Sequence, residues 1–532
     1  MKTVAMKVNS ANLVKGLKFS FTNKTTFLAE LMQNTRRANA TQVVFEFAPE
    51  TKILRITDDG CGIDSIETLL TVAESGWDAD VVAQEHPFGI GFLSTLFACS
   101  HLTVVSKGGR ISVNTDDVLS FKPVTVSPVT DWDGITVITM LGVDLEMKNV
   151  QDALNRLSHG FPIPVSLNAV FLERPYALDS GLRFCDTEIG AVYLNSVDKP
   201  QVSCSDFIVY LQGLPIYRSA TYLTHDIHVI HLDSSRFYAR LPDRDKLIDE
   251  ADVVNFIKSI LTKEIEKSLV LLKAEIPAEE FVLFFDIMRK WHLLSLLNDV
   301  PVVPVQALHE FGDYPTCDED AYGTFVSNIA KPMTRSEVEA REVVEIDEDI
   351  SSQGAAHHMF ARERDALIYQ NDLDNGHWIH SMIRCLNDEE TTIELVNESH
   401  RAYFEGEWVS VPVRFCDAYR IKISNDVVEI TGDALYQGEE NDGDVILPKS
   451  DATGYVLKQI SSYRSEYEDF QQSTHESDMY AFESFVVANT SIDAADAMKR
   501  LLPGFSGCPS LYGKSFVITL DASGKVASVT AA

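Results

Sequence analysis

The chain has 532 residues, of which 45% are hydrophobic and 23% are charged, and its net charge is −34. This length and composition predict three or four globular domains with their own hydrophobic cores. Most of the excess negative charge lies after residue 240. It opposes tight, non-specific binding to nucleic acid, because such binding needs clustered Lys and Arg.

The cysteines and the N-terminal residues argue against zinc-binding, disulfide-rich and secreted classes of protein. The eight cysteines include no Cys-x-x-Cys pair, so we expect neither a zinc ribbon nor a disulfide framework. Residues 1–7 lack a signal-peptide core, and no apolar run reaches about 18 residues. We therefore expect a cytoplasmic protein without a membrane span.

A predicted helix near the N-terminus carries the first polar motif. Thr25 and Thr26 suit the N-cap, and apolar residues follow at 27, 28, 31 and 32, which is helical spacing. Glu30 and Asn34 are four residues apart, so they lie on one face of this helix. The carboxylate can deprotonate a water aimed at a phosphate, and the amide oxygen can complete the ligand shell of Mg²⁺. Two ordinary surface residues are the alternative interpretation.

A glycine-bearing turn ends a predicted strand and forms the second motif. The segment 52–57 alternates apolar and polar residues and runs into Asp58-Asp59-Gly60-Cys61-Gly62. The two glycines allow a ligand to approach the backbone closely. Asp58 can accept a hydrogen bond from an exocyclic amine such as that of adenine. A plain connection between a strand and a helix is the alternative.

The third motif is Phe88-Gly89-Ile90-Gly91-Phe92, which leads into an apolar run to Ala98. Glycines before a helix N-terminus leave backbone N–H groups free to bind phosphate, and the helix dipole favours that charge. No Gly-Lys-Ser/Thr follows, so this is not a Walker A loop. Only two glycines are present, so it is not a Rossmann fingerprint.

In this order the three motifs resemble those of the GHKL ATPase superfamily, which includes gyrase B-type topoisomerases, ninety-kilodalton heat-shock chaperones, histidine kinases and MutL. The resemblance implies an N-terminal Bergerat-type α/β sandwich that binds ATP and Mg²⁺ between helices and a mixed, mainly antiparallel sheet. Glu30 is then the catalytic base, Asn34 the metal ligand and Asp58 the partner of the adenine amine. The other implied nucleotide-binding residues are Gly60, Gly62, Ile63, Phe88, Gly89, Ile90, Gly91, Phe92 and Thr136.

Two positions depart from the pattern of the resemblance. The family places a Gly-Thr pair before a strand, whereas this chain has Gly134-Ile135-Thr136, with the threonine one place late. Arg37 stands where many relatives have Asp, which suggests a divergent branch. Glu30 is present, which favours ATP hydrolysis over phosphoryl transfer to a histidine.

The predicted organisation is an α/β (α+β) chain with four parts. Residues 1–165 form the GHKL-type ATPase domain, with a lid from Asp64 to Pro87, and residues 166–275 resemble the transducer domain (ribosomal S5 domain 2-like). A helix is expected at 250–272. Residues 276–353 form a helical connector and acidic linker, with a helical stretch at 279–297 and a charged run at 334–353 that suits an exposed helix or linker. Residues 354–532 form a mixed α/β domain of unknown role, with a strand at 391–396, a helix at 455–470 and a hairpin at 515–529. In relatives, a basic transducer side chain reaches the γ-phosphate. Arg244 is our first candidate for this role, with Arg240 and Lys246 behind it, and a solvated loop is the alternative.

These features predict an ATP-hydrolysing conformational switch that forms an ATP-dependent homodimer and acts as a chaperone-like or protein-remodelling ATPase. A DNA-transaction ATPase of the MutL or topoisomerase type is one alternative, opposed by the acidity of the chain. A non-hydrolysing nucleotide-binding module is another, opposed by Glu30. His357-His358 and His377 with His380 could ligate a metal, although no cysteine lies nearby at metal spacing.

Overall fold

The computed structural model describes residues 9–21, 23–72, 77, 90–200, 204–219, 226–240, 246–317, 326–346, 354–370, 373–438, 443–449, 453–467 and 469–532. The chain divides into a first unit, Met1–Leu293, and a second unit, Leu294–Ala532. Both units contain helices and sheets, so the predicted mixed α/β class is confirmed.

The helices described in the first unit range from one turn to seven turns. They are α1 (Ser10–Leu17), α2 (Thr26–Arg37), α3 (Gly91–Ala98), α4 (Thr115–Leu119), α5 (Met147–Ser158), α6 (Glu250–Glu275), α7 (Ala278–Phe281) and α8 (Phe285–Lys290). Short 3₁₀ turns add Lys18–Ser20, Ile66–Leu70 and Val282–Phe284.

The first sheet of this unit contains the strands that precede residue 172. They are β1 (Val43–Ala48), β2 (Ile53–Asp58), β3 (His101–Ser106), β4 (Gly109–Asn114), β5 (Thr136–Leu141), β6 (Val165–Leu167) and β7 (Val170–Phe171), in the spatial order β4-β3-β5-β2-β1-β6-β7. β1 pairs antiparallel with β2 and parallel with β6, so the sheet is mixed. Alternation along β1 buries Val43, Phe45 and Phe47, which share one core with Phe27 and Leu31 of α2.

The second sheet of the first unit follows in the chain. Its strands are β8 (Cys185–Thr187), β9 (Gly190–Tyr193), β10 (Phe207–Leu211), β11 (Leu214–Arg218) and β12 (His228–Leu232), in the spatial order β11-β10-β12-β9-β8. Every residue of β10 and β12 is buried, as expected for central strands covered on both faces.

A long helix follows the second sheet. The prediction of a helix at 250–272 is confirmed by α6, whose buried residues Val254, Ile257, Leu261 and Ile265 recur at helical spacing. The predicted helical stretch at 279–297 is confirmed in part. That stretch consists of short helices and 3₁₀ turns, and His292 breaks it with a left-handed backbone (φ 56°).

The second unit is dominated by short strands. They are β13 (Val302–Val303), β14 (Leu308–Phe311), β15 (Val326–Asn328), β16 (Met333–Thr334), β17 (Val343–Glu345), β18 (Leu367–Tyr369), β19 (Ile383–Cys385), β20 (Thr391–Val396), β21 (His400–Glu405), β22 (Ser410–Cys416), β23 (Ala418–Ile423), β24 (Asp426–Ile430), β25 (Leu435–Gln437), β26 (Asp444–Pro448), β27 (Phe516–Leu520) and β28 (Val526–Ala531). The accompanying helices are α9 (Arg335–Glu339), α10 (Gly354–Glu363), α11 (Gln472–Thr490) and α12 (Ala494–Leu501).

Two sequence interpretations of the second unit need correction. The charged stretch beginning at Arg335 is predicted to be an exposed helix or linker. It begins with the short helix α9, but β17 follows, and Val343 and Val344 of that strand are buried. The predicted helix at 455–470 is limited to a 3₁₀ turn, Tyr455–Gln459. Tyr463 has a positive φ (56°), which does not fit a helix. The predicted hairpin at the end of the chain is confirmed by β27 and β28.

The histidines considered as metal ligands have protein partners in the second unit. His357 hydrogen-bonds through Nδ1 to Asn387 Oδ1 (3.0 Å) and through Nε2 to Thr391 Oγ1 (2.9 Å). His380 hydrogen-bonds through Nε2 to the carbonyl of Asp374 (3.0 Å). Across the described parts of the chain, no group of three His, Cys, Asp or Glu side chains could hold a metal ion.

Candidate active site

Helix α2 presents Glu30 and Asn34 on the face turned away from its buried apolar side. Phe27, Leu28 and Leu31 are buried in the core, which fixes the rotation of the helix about its axis. Glu30 and Asn34 are half-buried, and the Glu30 side chain is 15% exposed. The structure therefore leaves one carboxylate and one amide at the surface of the core around the first sheet, in the arrangement that the four-residue spacing predicts.

The first residue of α3 touches the carboxylate of α2. A Cβ placed on Gly91 would lie 2.1 Å from Glu30 Cδ, 2.3 Å from Oε1 and 2.4 Å from Oε2. Only a glycine allows this approach without displacing Glu30. Ser94 holds the turn, since its hydroxyl donates a hydrogen bond to the Gly91 carbonyl (2.6 Å). The third sequence motif thus contacts the Glu30 carboxylate of the first motif.

The second motif lies at the end of β2. Asp58 is the last residue of that strand, and its Oδ1 accepts a hydrogen bond from Gly60 N (3.0 Å). A Cβ on Gly60 would lie 2.6 Å from Ala38 Cβ, so the glycine lets this turn pack against the end of α2. Among the described residues, Asp58 Oδ2 has no hydrogen-bond donor. Burial raises the pKa of Asp58 above its ordinary value, the Gly60 N–H lowers it in part, and the charge of Asp59 raises it again.

A buried hydroxyl pair connects the second motif to β5. Thr136 lies directly opposite Asp58 in the antiparallel pairing of β2 and β5. Its hydroxyl and that of Ser106 are 2.8 Å apart, and Ser106 Oγ accepts a hydrogen bond from Ile63 N (2.9 Å). The late threonine therefore lies beside Asp58 in space. Ser106 was not among the predicted site residues, although a polar residue at the buried end of an alternating strand was a signal for it.

Trp132 is a second residue that the sequence interpretation missed. Gly62 has a positive φ (76°), and a Cβ there would lie 2.7 Å from ring carbons of Trp132. The indole N–H donates a hydrogen bond to the carbonyl of Ile135 (2.7 Å), which fixes the ring over the glycine. The glycine is thus required both by its backbone angle and by this contact.

A cavity of about 1020 Å³ borders Glu30 and Gly91. Its described lining includes two basic residues, Lys24 and Arg156, and two residues of β11, Leu214 and Pro215. The cavity therefore reaches from the candidate catalytic carboxylate to the second sheet of the first unit.

Several predicted site residues receive no structural description or differ from the expectation. Phe88, Gly89 and Arg244 lie outside the described residues, as does most of the predicted lid. Arg240 and Lys246 are described, and Arg240 N donates a hydrogen bond to the Lys246 carbonyl (2.7 Å). The side chain of Phe92 is buried in the ATPase core, so only its backbone is available to a ligand.

A helix with Glu30 and Asn34, packed on a mixed sheet whose strand ends in Asp-x-Gly-x-Gly, defines an ATP-binding α/β sandwich. The family described as "Histidine kinase-, DNA gyrase B-, and HSP90-like ATPase" matches residues 22–132, about a fifth of the chain. The chain therefore contains a GHKL-type ATPase domain at residues 22–132. No curated protein matches the chain. None of the helices that the structure describes combines the length and hydropathy needed to cross a membrane.

Proposed function

We propose that this protein is an ATPase that works as a conformational switch. The observation that carries the proposal is the contact between Gly91 and the Glu30 carboxylate, which brings the phosphate-binding turn and the candidate base together. Asp58, the last residue of β2, lies opposite Thr136 of β5. The second motif and the late threonine are therefore neighbours in the same domain.

The residues at the end of β2 fit an adenine ring. Asp58 Oδ2 can accept a hydrogen bond from the exocyclic amine, because Gly60 N already occupies Oδ1. The hydrogen bonds among Thr136, Ser106 and Ile63 fix the backbone next to it. A carboxylate that is partly desolvated forms a stronger hydrogen bond than one in water. This end of the site would supply affinity and selection for the base.

The residues around Gly91 fit the phosphates and the reaction. Glu30 takes a proton from a water, whose oxygen forms a bond to the γ-phosphorus while the bond from that phosphorus to the β,γ-bridging oxygen breaks. The electron pair of the broken bond stays on ADP, and inorganic phosphate is the second product. Asn34 Oδ1 is a suitable ligand for Mg²⁺, which neutralises phosphate charge when it is bound. The backbone N–H groups that begin α3 hold the phosphates.

The cavity beside Glu30 supports the switch. Its lining includes residues of α2, α3 and β11. A change at the phosphates can therefore be transmitted to the transducer-like sheet through this region. We infer that Arg244, or Arg240 or Lys246 beside it, completes the γ-phosphate site when ATP is bound. A homodimer formed in that state, acting on a protein client in the cytoplasm, is our proposal for the biological role. The acidity of the chain opposes a DNA substrate.

Steady-state ATP turnover of wild type and Glu30→Ala tests the proposal, with each protein also sized in solution with and without a non-hydrolysable ATP analogue. We expect Glu30→Ala to bind ATP but to lose about 10²–10⁴-fold in turnover, because a general base typically contributes that much. The analogue should convert wild type to a dimer.

Three results would overturn parts of this proposal. If wild type binds ATP without hydrolysing it and never changes size, the site is a static nucleotide pocket. If double-stranded DNA stimulates turnover with a steep dependence on salt, the DNA-transaction alternative replaces the protein client. If Glu30→Ala turns over as fast as wild type, Glu30 is not the base.

A further inference from the structure

Arg37 is the last residue of α2, and its guanidinium lies beside both functional groups of that helix. It follows Glu30 by seven residues and Asn34 by three, which places all three on one helical face. Arg37 Nη1 is 3.9 Å from Glu30 Oε1 and 3.4 Å from Asn34 Oδ1. The Arg37 side chain is only 1% exposed.

Burial makes this arrangement costly unless the charge is compensated. An arginine withdrawn from water loses hydration that only hydrogen bonds and nearby negative charge can replace. Glu30 supplies the charge and Asn34 supplies an acceptor, while the carbonyl end of α2 adds a favourable dipole. The neighbouring Arg36 behaves differently, since its Nη2 donates a hydrogen bond to Gln33 Oε1 (3.0 Å). On α2 itself, Arg36 thus hydrogen-bonds to Gln33, whereas Arg37 lies beside Glu30 and Asn34.

We propose that Arg37 is a positioning residue for the ATPase reaction, whose guanidinium holds the Glu30 carboxylate and the Asn34 amide in the orientation that hydrolysis needs. The inference rests on the proposed function, because it assigns a role relative to Glu30 and Asn34. It concerns the position where the sequence departs from the aspartate of many relatives.

The planar guanidinium suits this role in two ways. Both acceptors lie near Arg37 Nη1, whose two N–H groups are fixed in the plane of the guanidinium, whereas a lysine ammonium is a single point charge on a flexible stem. A hydrogen bond from Arg37 to Asn34 Oδ1 also orients the amide, and it leaves the second lone pair of that oxygen for a cation.

The test compares Arg37→Met and Arg37→Lys with wild type in the full-length protein. Arg36→Met is the matched control, because it removes the adjacent arginine from the same helix. We expect Arg37→Met to lower kcat by about 10–100-fold, since small displacements of catalytic groups have effects of that size. The dissociation constant for ATP should change by less than about 3-fold, because Arg37 acts on the reacting groups and not on adenine. Arg37→Lys should recover part of kcat, and Arg36→Met should match wild type.

A double-mutant cycle separates positioning from a structural role. If Arg37 acts through Glu30, Arg37→Met should have little further effect on single-turnover hydrolysis in a Glu30→Gln background. The idea is wrong if the two substitutions act independently, if Arg36→Met lowers kcat as much, or if Arg37→Met keeps the wild-type kcat. It is also wrong if the variant loses ATP affinity and thermal stability together while its kcat is unchanged.

The outcome for wild type keeps this proposal separate from the proposed function. If wild type does not hydrolyse ATP, the ATPase proposal is wrong, and the proposed role of Arg37 is wrong as well because it depends on hydrolysis. If wild type hydrolyses ATP and Glu30→Gln does not, the ATPase proposal stands, and the Arg37 variants alone decide the role of Arg37.

Discussion

The two ends of the candidate site, one proposed for the phosphates and the other proposed for adenine, are built from different interactions. At the phosphate end, Glu30 and Arg37 carry opposite charges beside an amide, and a glycine approaches the carboxylate without a side chain between them. At the adenine end, Thr136, Ser106 and Ile63 form neutral hydrogen bonds around Asp58. Charged groups can stabilise the charge that develops during hydrolysis, whereas neutral hydrogen bonds hold the backbone of the binding site in one geometry. We therefore expect substitutions at the first end to change turnover and substitutions at the second to change affinity.

At the adenine end, the adjacent residues Asp58 and Asp59 have pKa values shifted in opposite directions. Burial raises the pKa of Asp58. Burial also opposes ionisation of Asp59, but hydrogen bonds from Thr41 and Gln42 outweigh it and lower the pKa of that carboxyl. Thr41 N and Gln42 N donate to Asp59 Oδ1 at 2.7 and 3.2 Å. Asp59 thus holds a turn together, and Asp58 is kept in an unfavourable environment, which is typical of a group that serves a ligand.

Asp58→Asn should have the largest effect at the adenine end. The substitution keeps the acceptor for Gly60 N but can turn an amide N–H toward the adenine amine, which leaves two donors facing each other. We expect ATP affinity to fall about 100-fold, near the upper end of the cost of about 1–3 kcal/mol for an unmatched buried hydrogen-bonding group, because a site built for a polar group discriminates strongly. Calorimetric titration with ATP measures the change.

The stability of the same variant should move in the opposite direction. Because the folded-state pKa of Asp58 is raised, its ionised form costs folding free energy at neutral pH, and Asp58→Asn removes that cost. Its melting temperature without nucleotide should equal or exceed that of wild type, and the difference should shrink as the pH falls through the folded-state pKa, where wild-type Asp58 gains a proton. Asp59→Asn is the control, with ATP affinity retained and a lower melting temperature at neutral pH. Wild-type affinity in Asp58→Asn would contradict the adenine assignment.

Gly91→Ala should have the next largest effect, and it acts at the phosphate end. The added methyl group would collide with the end of the Glu30 side chain, which can move aside without disturbing the backbone. We expect a loss of about 10–100-fold in kcat from the displaced base, with a melting temperature close to that of wild type. ATP turnover and thermal melting of the same preparation measure both quantities.

The control for Gly91→Ala is another glycine in a helix. Gly16 in α1 has no atom within 4 Å of the position of an added Cβ, so Gly16→Ala should leave turnover unchanged. A Gly91→Ala protein with wild-type kcat would mean that the position of Glu30 seen here is not needed for hydrolysis, which would remove the main support for the proposed function.

The sequence and the structure agree where local periodicity decides the outcome. The four-residue spacing of Glu30 and Asn34 and the apolar positions of α2 predict one exposed polar face, and the alternation before Asp58 predicts the end of β2. The same reasoning predicts β20 in the second unit, although no motif there indicates a function. Periodicity identifies elements and faces because it reflects the geometry of a single helix or strand.

Contacts between distant elements could not be predicted in this way. Ser106 hydrogen-bonds to Ile63, 43 residues earlier in the chain, and Gly91 touches Glu30 across two helices. Thr136 comes one place late for the family pattern, yet strand pairing places it opposite Asp58. Pairing register is set by the hydrophobic pattern of the strands and by turn geometry, not by the spacing of a short motif. The late position of Thr136 in the sequence therefore does not remove it from the side of Asp58 in the sheet.

Ser106→Ala should have the smallest effect of these substitutions, and it tests whether the neutral hydrogen bonds act on affinity alone. The buried hydroxyl joins Thr136 to Ile63 N, so its loss leaves a backbone N–H without this acceptor. The cost of about 1–3 kcal/mol is shared between folding and binding. We expect a melting temperature lower by a few degrees, about 10-fold weaker ATP binding and an almost unchanged kcat, because Glu30 and Arg37 are untouched.

Ser112→Ala is the matched control for Ser106→Ala, because it removes a hydroxyl from the same sheet. Ser112 lies on β4, is exposed, and hydrogen-bonds to His101 Nε2 (2.9 Å) and Thr103 Oγ1 (3.0 Å). A cross-strand hydrogen bond at an exposed site contributes little to stability, since water replaces it, so this variant should keep both affinity and melting temperature. If Ser106→Ala instead lowers kcat and leaves affinity intact, the two ends of the site are coupled through the turn at Gly62. The separation of affinity from reactivity between the two ends would then be wrong, because a neutral hydrogen bond at one end would be controlling the charged groups at the other.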